Sequence, residues 1–238
     1  MRPAPDRSTE DALSEVFPAN PIREVDFEIR FKPRLRVQPE SWRFQEKLAP
    51  DYPDVELGSV LLPNGSTATV TIFQNVPKAR VIKVSAENMA LAFSAYANFE
   101  EFKEEALRRT EEFCKIYEVT SLTRVGLRYV NEIQLPTQET ESLRTYVRPI
   151  VEFDRIPLKT VQQFALQMSA NVGSHMILLR TALLPGPLRF YILDIDAYTE
   201  TIQPTERIAT LLDEFHETAQ KAFLGHVTEE YKKVMRAK

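Results

Sequence analysis

The sequence predicts an α+β fold: an antiparallel β-sheet with two long helices packed on one face, compatible with pseudo-duplicated halves. Three observations predict it. Ile22 to Lys32 alternates strictly, with Val25, Phe27, Ile29 and Phe31 on one side and Glu24, Asp26, Glu28, Arg30 and Lys32 on the other. Period two with one wholly polar face marks an antiparallel strand covered on one side only. Two runs, Phe99 to Tyr117 and Ile208 to Phe223, carry apolar residues three and four apart, the spacing of a helix with one buried stripe. Each run follows a meander of β-prone segments, so the two halves of the chain share an outline.

Residues 1–20 hold Pro3, Pro5 and Pro18 among acidic residues and read as a flexible N-terminal arm with little apolar surface to anchor it. Pro39 to Leu48 reads as a short helix carrying Trp42, and Asp51-Tyr52-Pro53-Asp54 as a loop. Val60 to Leu62 and Thr67 to Phe73 flank Pro63-Asn64-Gly65-Ser66, a hairpin signal. Arg80 to Ser85 and Met89 to Tyr96 are strands around Ala86-Glu87-Asn88. Asn98 caps the helix over 99–118, with Glu101 completing the reciprocal box. Ser121 to Leu135 is one long strand, stopped by Pro136.

Val161 to Ala170, Met176 to Leu183 and Leu188 to Tyr198 are the later strands, the last two joined by Leu184-Pro185-Gly186-Pro187. The second long helix starts near Pro204 and ends at Gly225, and Thr228 caps a short terminal helix. The domain plan is therefore an arm at 1–20, a first α+β half at 21–136, a connector at 137–160 and a second α+β half at 161–238. These form one compact domain or two similar subdomains.

Composition narrows the functions. Lys and Arg number 30 against 34 Asp and Glu, a net charge of -4, which argues against a nucleic-acid partner because phosphate neutralisation needs a basic surface. The single cysteine, Cys114, cannot form an intramolecular disulfide or a multi-cysteine metal site and suits a reducing compartment. No segment approaches the ~20 consecutive apolar residues of a membrane helix, and Met1 to Asn20 lacks the charged-then-apolar order of a secretory signal. A cytoplasmic protein without a membrane partner is expected. The six glycines are never clustered, so no phosphate loop exists, and no cofactor is expected.

Several blocks resemble an uncharacterised family of about 250 residues, sporadically distributed among bacteria and archaea, whose function is unknown. They are Asn20-Pro21-Ile22, Glu24-Val25, Phe27-Glu28-Ile29-Arg30-Phe31, Trp42, Tyr52-Pro53, Gly126-Leu127-Arg128-Tyr129-Val130-Asn131 and Leu193-Asp194-Ile195-Asp196. The resemblance covers nearly the whole chain beyond the arm and implies a shared fold but no activity.

Three constellations carry chemistry. Asp194 and Asp196, two apart on a strand, share a face; paired carboxylates bind divalent cations or divide acid and base roles. Glu24, Asp26 and Glu28 form a similar ladder, and on both strands the plainer reading is a solvated face with cross-strand ion pairs. Arg124, Gly126, Arg128, Val130 and Glu132 share a third face. There Gly126 clears space between two guanidinium forks able to grip phosphate or carboxylate, unless they pair with acidic neighbours. His175, His216 and His226 lack ligand spacing, so no metal site is expected.

The pattern favours a binding protein over an enzyme. It uses a polar sheet face as a groove for a peptide, a protein or an anionic small molecule, with Arg124, Gly126 and Arg128 as the binding residues. A homo-oligomer is compatible with it. The alternative is a metal-assisted phosphoryl-transfer or nucleic-acid-processing enzyme using Asp194, Asp196 and Glu132. Sequence-specific DNA binding ranks last, for want of a helix-turn-helix pattern.

Overall fold

Alternating strands joined by tight turns can bury one face only by pairing side by side, and they do so here in one large open sheet. The structure, a computed structural model, describes residues 17–61, 65, 67–137, 139, 142–148, 161–186 and 188–237. Nine strands form the sheet: β1 (Ile22–Arg30), β2 (Asp54–Leu61), β3 (Thr67–Gln74), β4 (Arg80–Val84), β5 (Asn88–Phe93), β7 (Arg124–Gln134), β8 (Phe164–Val172), β9 (His175–Leu184) and β10 (Phe190–Thr199). Two short strands, β6 (Ser121–Leu122) and β11 (Gln203–Pro204), pair apart from it. The order is β2-β3-β4-β5-β1-β7-β10-β9-β8, antiparallel throughout. The helices are α1 (Ser41–Leu48), α2 (Phe99–Tyr117), the single turn α3 (Leu143–Tyr146), α4 (Ile208–His226) and α5 (Glu229–Arg236).

Period two sets the core. On β1 the buried side chains are Val25, Phe27 and Ile29, and on β7 they include Val125, Leu127, Tyr129 and Ile133. The registers Phe27↔Leu127 and Phe27↔Leu91 place these in continuous rows. Phe93 of β5 meets Phe102 of α2 edge-on, with ring centroids 5.0 Å apart. Tyr129 of β7 meets His216 of α4. Both strand residues belong to the buried set.

Several elements differ from the sequence reading, each for a local reason. The run from Ser121 to Leu135 breaks at Thr123, whose N–H donates to the Arg30 carbonyl, while Leu122 pairs with Gln203. β2 begins at Asp54, because a sheet edge tolerates exposed Val55 and Leu57 that carry no burial signal. Gly225 lies inside α4, and the helix ends one residue later at His226, before the extended Val227 forms a bridge to Val147. Asn98 Oδ1 accepts from the Glu101 N–H at 2.8 Å as a cap should, but the Glu101 carboxylate meets Arg80 instead of returning to Asn98.

Residues 1–16 of the expected arm lie outside the described residues. Phe17 packs against the core and the Ala19 N–H donates to the Met235 carbonyl at 3.1 Å, so the anchored chain begins before Pro21. In the connector, α3 is helical, and residues 149–160 lie outside the described residues. The turn residues Pro63, Asn64 and Ser66 do as well, though Leu61↔Thr67 registers the hairpin around them. No described helix is long and apolar enough to cross a membrane.

Candidate functional site

The residues singled out in the sequence converge on the polar face of three adjacent strands. Antiparallel register places Asp26 of β1 beside Arg128 of β7, and Arg128 beside Asp196 of β10. One row away Glu28 stands beside Gly126, and Asp194 stands beside Arg180 of β9. Alternation turns all of these side chains to one side, and pairing of charges follows from proximity.

Two networks result. Arg124 donates from Nη1 to Glu28 Oε1 at 3.0 Å and from Nη2 to Asp196 Oδ2 at 2.9 Å, with its guanidinium 4.7 Å from the centroid of the Tyr198 ring. Arg128 forks onto Asp194, Nε to Oδ1 at 2.8 Å and Nη2 to Oδ2 at 2.9 Å, and reaches Asp26 at 3.3 Å. Arg180 adds a third bond to Asp194 at 3.1 Å. The solvated ladder expected at β10 is corrected in one respect. The ion pairs form, but Asp194 and Asp196 are only 5% and 8% exposed, because three guanidinium groups lie over them.

Gly126 does clear space, and the space is filled from within the chain. A Cβ at this position would stand 2.5 Å from Arg124 Nη1. The glycine lets Arg124 fold back along its own strand to reach both carboxylates. Glu132, also on the polar side of β7, does not join Asp194 and Asp196; it accepts from Arg23 at 2.6 Å. Among the described residues no three His, Cys, Asp or Glu side chains are grouped to hold a metal ion. The histidines are separate, each bonded to a hydroxyl: His175 to Thr218, His216 to Tyr129 and His226 to Tyr191.

The same face forms a groove of about 480 Å³ whose lining reaches from Val60 on β2 to Arg180 on β9. Ala90, Ala92 and Gly126 leave its floor low. Asp26 is the perturbed group here. Burial and then the neighbouring Glu24 push its carboxyl up to about 7, against the opposing pull of Arg128 and Lys83. Burial also raises the Asp196 carboxyl, with Arg124 and Arg180 opposing. The Arg128 guanidinium is held above its usual range by its hydrogen bonds to Asp194, against its own burial.

Sequence reasoning did not single out Lys83, Asn88 or Arg180 as part of this groove. Arg180 carried a usable signal as the one charged residue in the run from Met176 to Leu184, in which only Thr181 is also polar. Lys83 and Asn88 carried none, since each sits in an ordinary two-faced strand. The resemblance to an uncharacterised prokaryotic family rests on the residues quoted for it. Set against known proteins, the chain matches no family model and no curated protein.

Proposed function

We propose that the protein is a binding module that holds a peptide or protein segment in the polar groove of its sheet, with the two long helices covering the opposite face. The observation that supports this most is the way the charges divide. Arg124, Arg128 and Arg180 are already matched to Glu28, Asp194 and Asp196. Glu24 and Lys83 line the groove with no ion pair within 4 Å among the described residues, and Asp26 has one ion pair, to Arg128 at 3.3 Å, beside its hydrogen bond with Glu24. An anionic ligand finds only Lys83 unpaired among the described lining residues and has to displace an internal carboxylate from each arginine. A Lys or Arg side chain has only to displace the proton that burial holds on Asp26 beside Glu24. Among the partner classes the sequence suggests, a basic peptide or protein segment fits better than a small anion.

The phosphoryl-transfer reading ranks second. Arg128 binds both oxygens of Asp194, and Glu132 is engaged by Arg23, so each carboxylate has first to be freed. The topology also supports duplicated halves. β5 returns beside β1 and leads to α2, while β10 returns beside β7 and leads to α4, both helices being 19 residues long. This reading starts the second half at β7 rather than at the expected residue 161, and the groove then crosses the β1–β7 junction of the two halves.

Panning a random library of 12-residue peptides on the full chain tests the proposal. Selected peptides should carry Lys or Arg, bind more tightly as pH rises from 6 to 8, and lose at least tenfold affinity on Asp26→Asn. Selection of peptides without basic residues, or affinity indifferent to Asp26→Asn, overturns it.

A further inference from the structure

A second cavity, of about 400 Å³, opens between the start of α2, the second half of α4 and the buried side of β7 and β10. Its size falls in the range of small-molecule sites. Tyr129, only 5% exposed, rises from its floor, and its hydroxyl lies 2.7 Å from His216 Nδ1. The same hydroxyl is also a hydrogen-bond partner of the Tyr96 hydroxyl. The His216 ring stacks on Phe99, with centroids 3.8 Å apart and planes 8° from parallel. The imidazole is thus held on its face and at one nitrogen, and its Nε2 has no partner among the described residues. A polar chain ending in a ring nitrogen that opens to a cleft of mixed apolar and polar lining is an arrangement suited to orienting a ligand.

The remaining lining defines the ligand. Ile195 and Phe223 supply apolar walls, Asn131 and Gln220 add neutral polar groups, and Glu100, exposed at the start of α2, is the one charged residue among the described lining residues. No lysine or arginine lines the cavity among the described residues. Lys103, which approaches the Phe99 ring, is held by both oxygens of Asp213. Burial keeps the His216 pKa below its ordinary value, with Glu100 and Asp213 opposing, so the imidazole adds no fixed positive charge.

We infer that this cavity is a binding site for a small arylalkylamine, whose ring packs against Phe99 and Phe223 while its ammonium meets Glu100 and its polar hydrogens face His216. The site is independent of the groove on the opposite side of the sheet. An anion of the same shape meets no lysine or arginine among the described lining residues, the Arg236 guanidinium lying over the Phe17 ring, and it is repelled by Glu100.

Matched probes test this on the full chain: 2-phenylethylamine against 3-phenylpropionate, by calorimetry and by ligand-observed NMR. The amine should bind at least tenfold more tightly than the acid and shift the His216 ring resonances. Glu100→Gln should bring the two probes within twofold of each other. His216→Ala should weaken the amine at least tenfold, and the ring-resonance shift in the unmodified protein carries the same information should that variant fail to fold. Asp26→Asn should leave amine binding unchanged, which separates this site from the groove. Equal binding of the two probes, no binding at millimolar concentration, a preference that survives Glu100→Gln, or unmoved His216 resonances overturns the inference.

Discussion

The guanidinium of Arg124 lies across Gly126, two residues further along the same strand, and a Cβ at 126 would stand 2.5 Å from Nη1 and 2.9 Å from Cζ. Gly126 is therefore the reason that Arg124 reaches Glu28 on one neighbouring strand and Asp196 on the other.

Gly126→Ala should displace Arg124 and leave Asp196 buried without its partner. The side chains of Arg124 and Asp196 are 12% and 11% exposed, so the loss is that of a largely buried pair, about 3 kcal/mol. Urea titration should show Arg124→Ala costing a similar amount and the double variant costing less than the sum. Strictly additive losses would disprove the dependence. Placed on a solvated face, Arg124 and Arg128 would tolerate a double substitution to Ala with the fold intact; the burial of Asp194 and Asp196 reverses that expectation.

Asp26 should make stability fall as pH rises. Its folded carboxyl, pushed up from 3.8 to about 7 chiefly by burial, holds its proton more tightly than the unfolded chain does. The stabilisation is complete below the unfolded value and is lost as pH climbs through 7. Asp26→Asn should melt a few degrees above the wild type at pH 8, with the difference closing by pH 4. A constant difference across that range refutes the assignment.

His226 should act with the opposite sign. Its ring is stacked on Tyr191 and lies 2.5 Å from that hydroxyl, and burial lowers its pKa from 6.5 to about 4. The folded protein binds the proton less readily than the unfolded chain, so stability is full above 6.5 and is lost as pH falls toward 4. Replacing His226 with Phe should flatten the stability–pH curve in that window by up to about 1.4 kcal/mol per pH unit, measured by urea titration at fixed pH.

The start of α2 separates local from tertiary energetics. Asn98→Ala removes the 2.8 Å cap to Glu101 and should cost about 1 kcal/mol. Phe102, fully buried against Phe93, should cost about 3–5 kcal/mol when cut to Ala. Comparable small losses at both positions would mean that the helix is not seated on the sheet as described.

Local chemistry made much of this legible in advance. The alternation over Ile22 to Lys32 identified β1 and assigned its two faces, because pleat and side-chain direction are properties of the strand alone. Asn98 and Thr228 marked helix starts, since a cap is made within three residues, and both side chains do accept those bonds. Arg124, Gly126, Arg128, Asp194 and Asp196 could be seen to share one side of their strands for the same reason.

What only the tertiary structure decided is who meets whom. Register between strands far apart in sequence brings Arg128 to Asp194 across 66 residues, and packing of α4 on the sheet brings Tyr129 to His216 across 87; no periodicity records such a separation. The space above Gly126 was visible as a gap, but its occupant depended on carboxylates supplied by two other strands. Exposure was equally hidden: alternation places Asp194 and Asp196 on a polar face, whereas three overlying guanidinium groups bury them. Period and capping are short-range properties carried by a few consecutive residues. Burial and charge pairing are set by long-range contacts, which exist only once the nine strands have found their order.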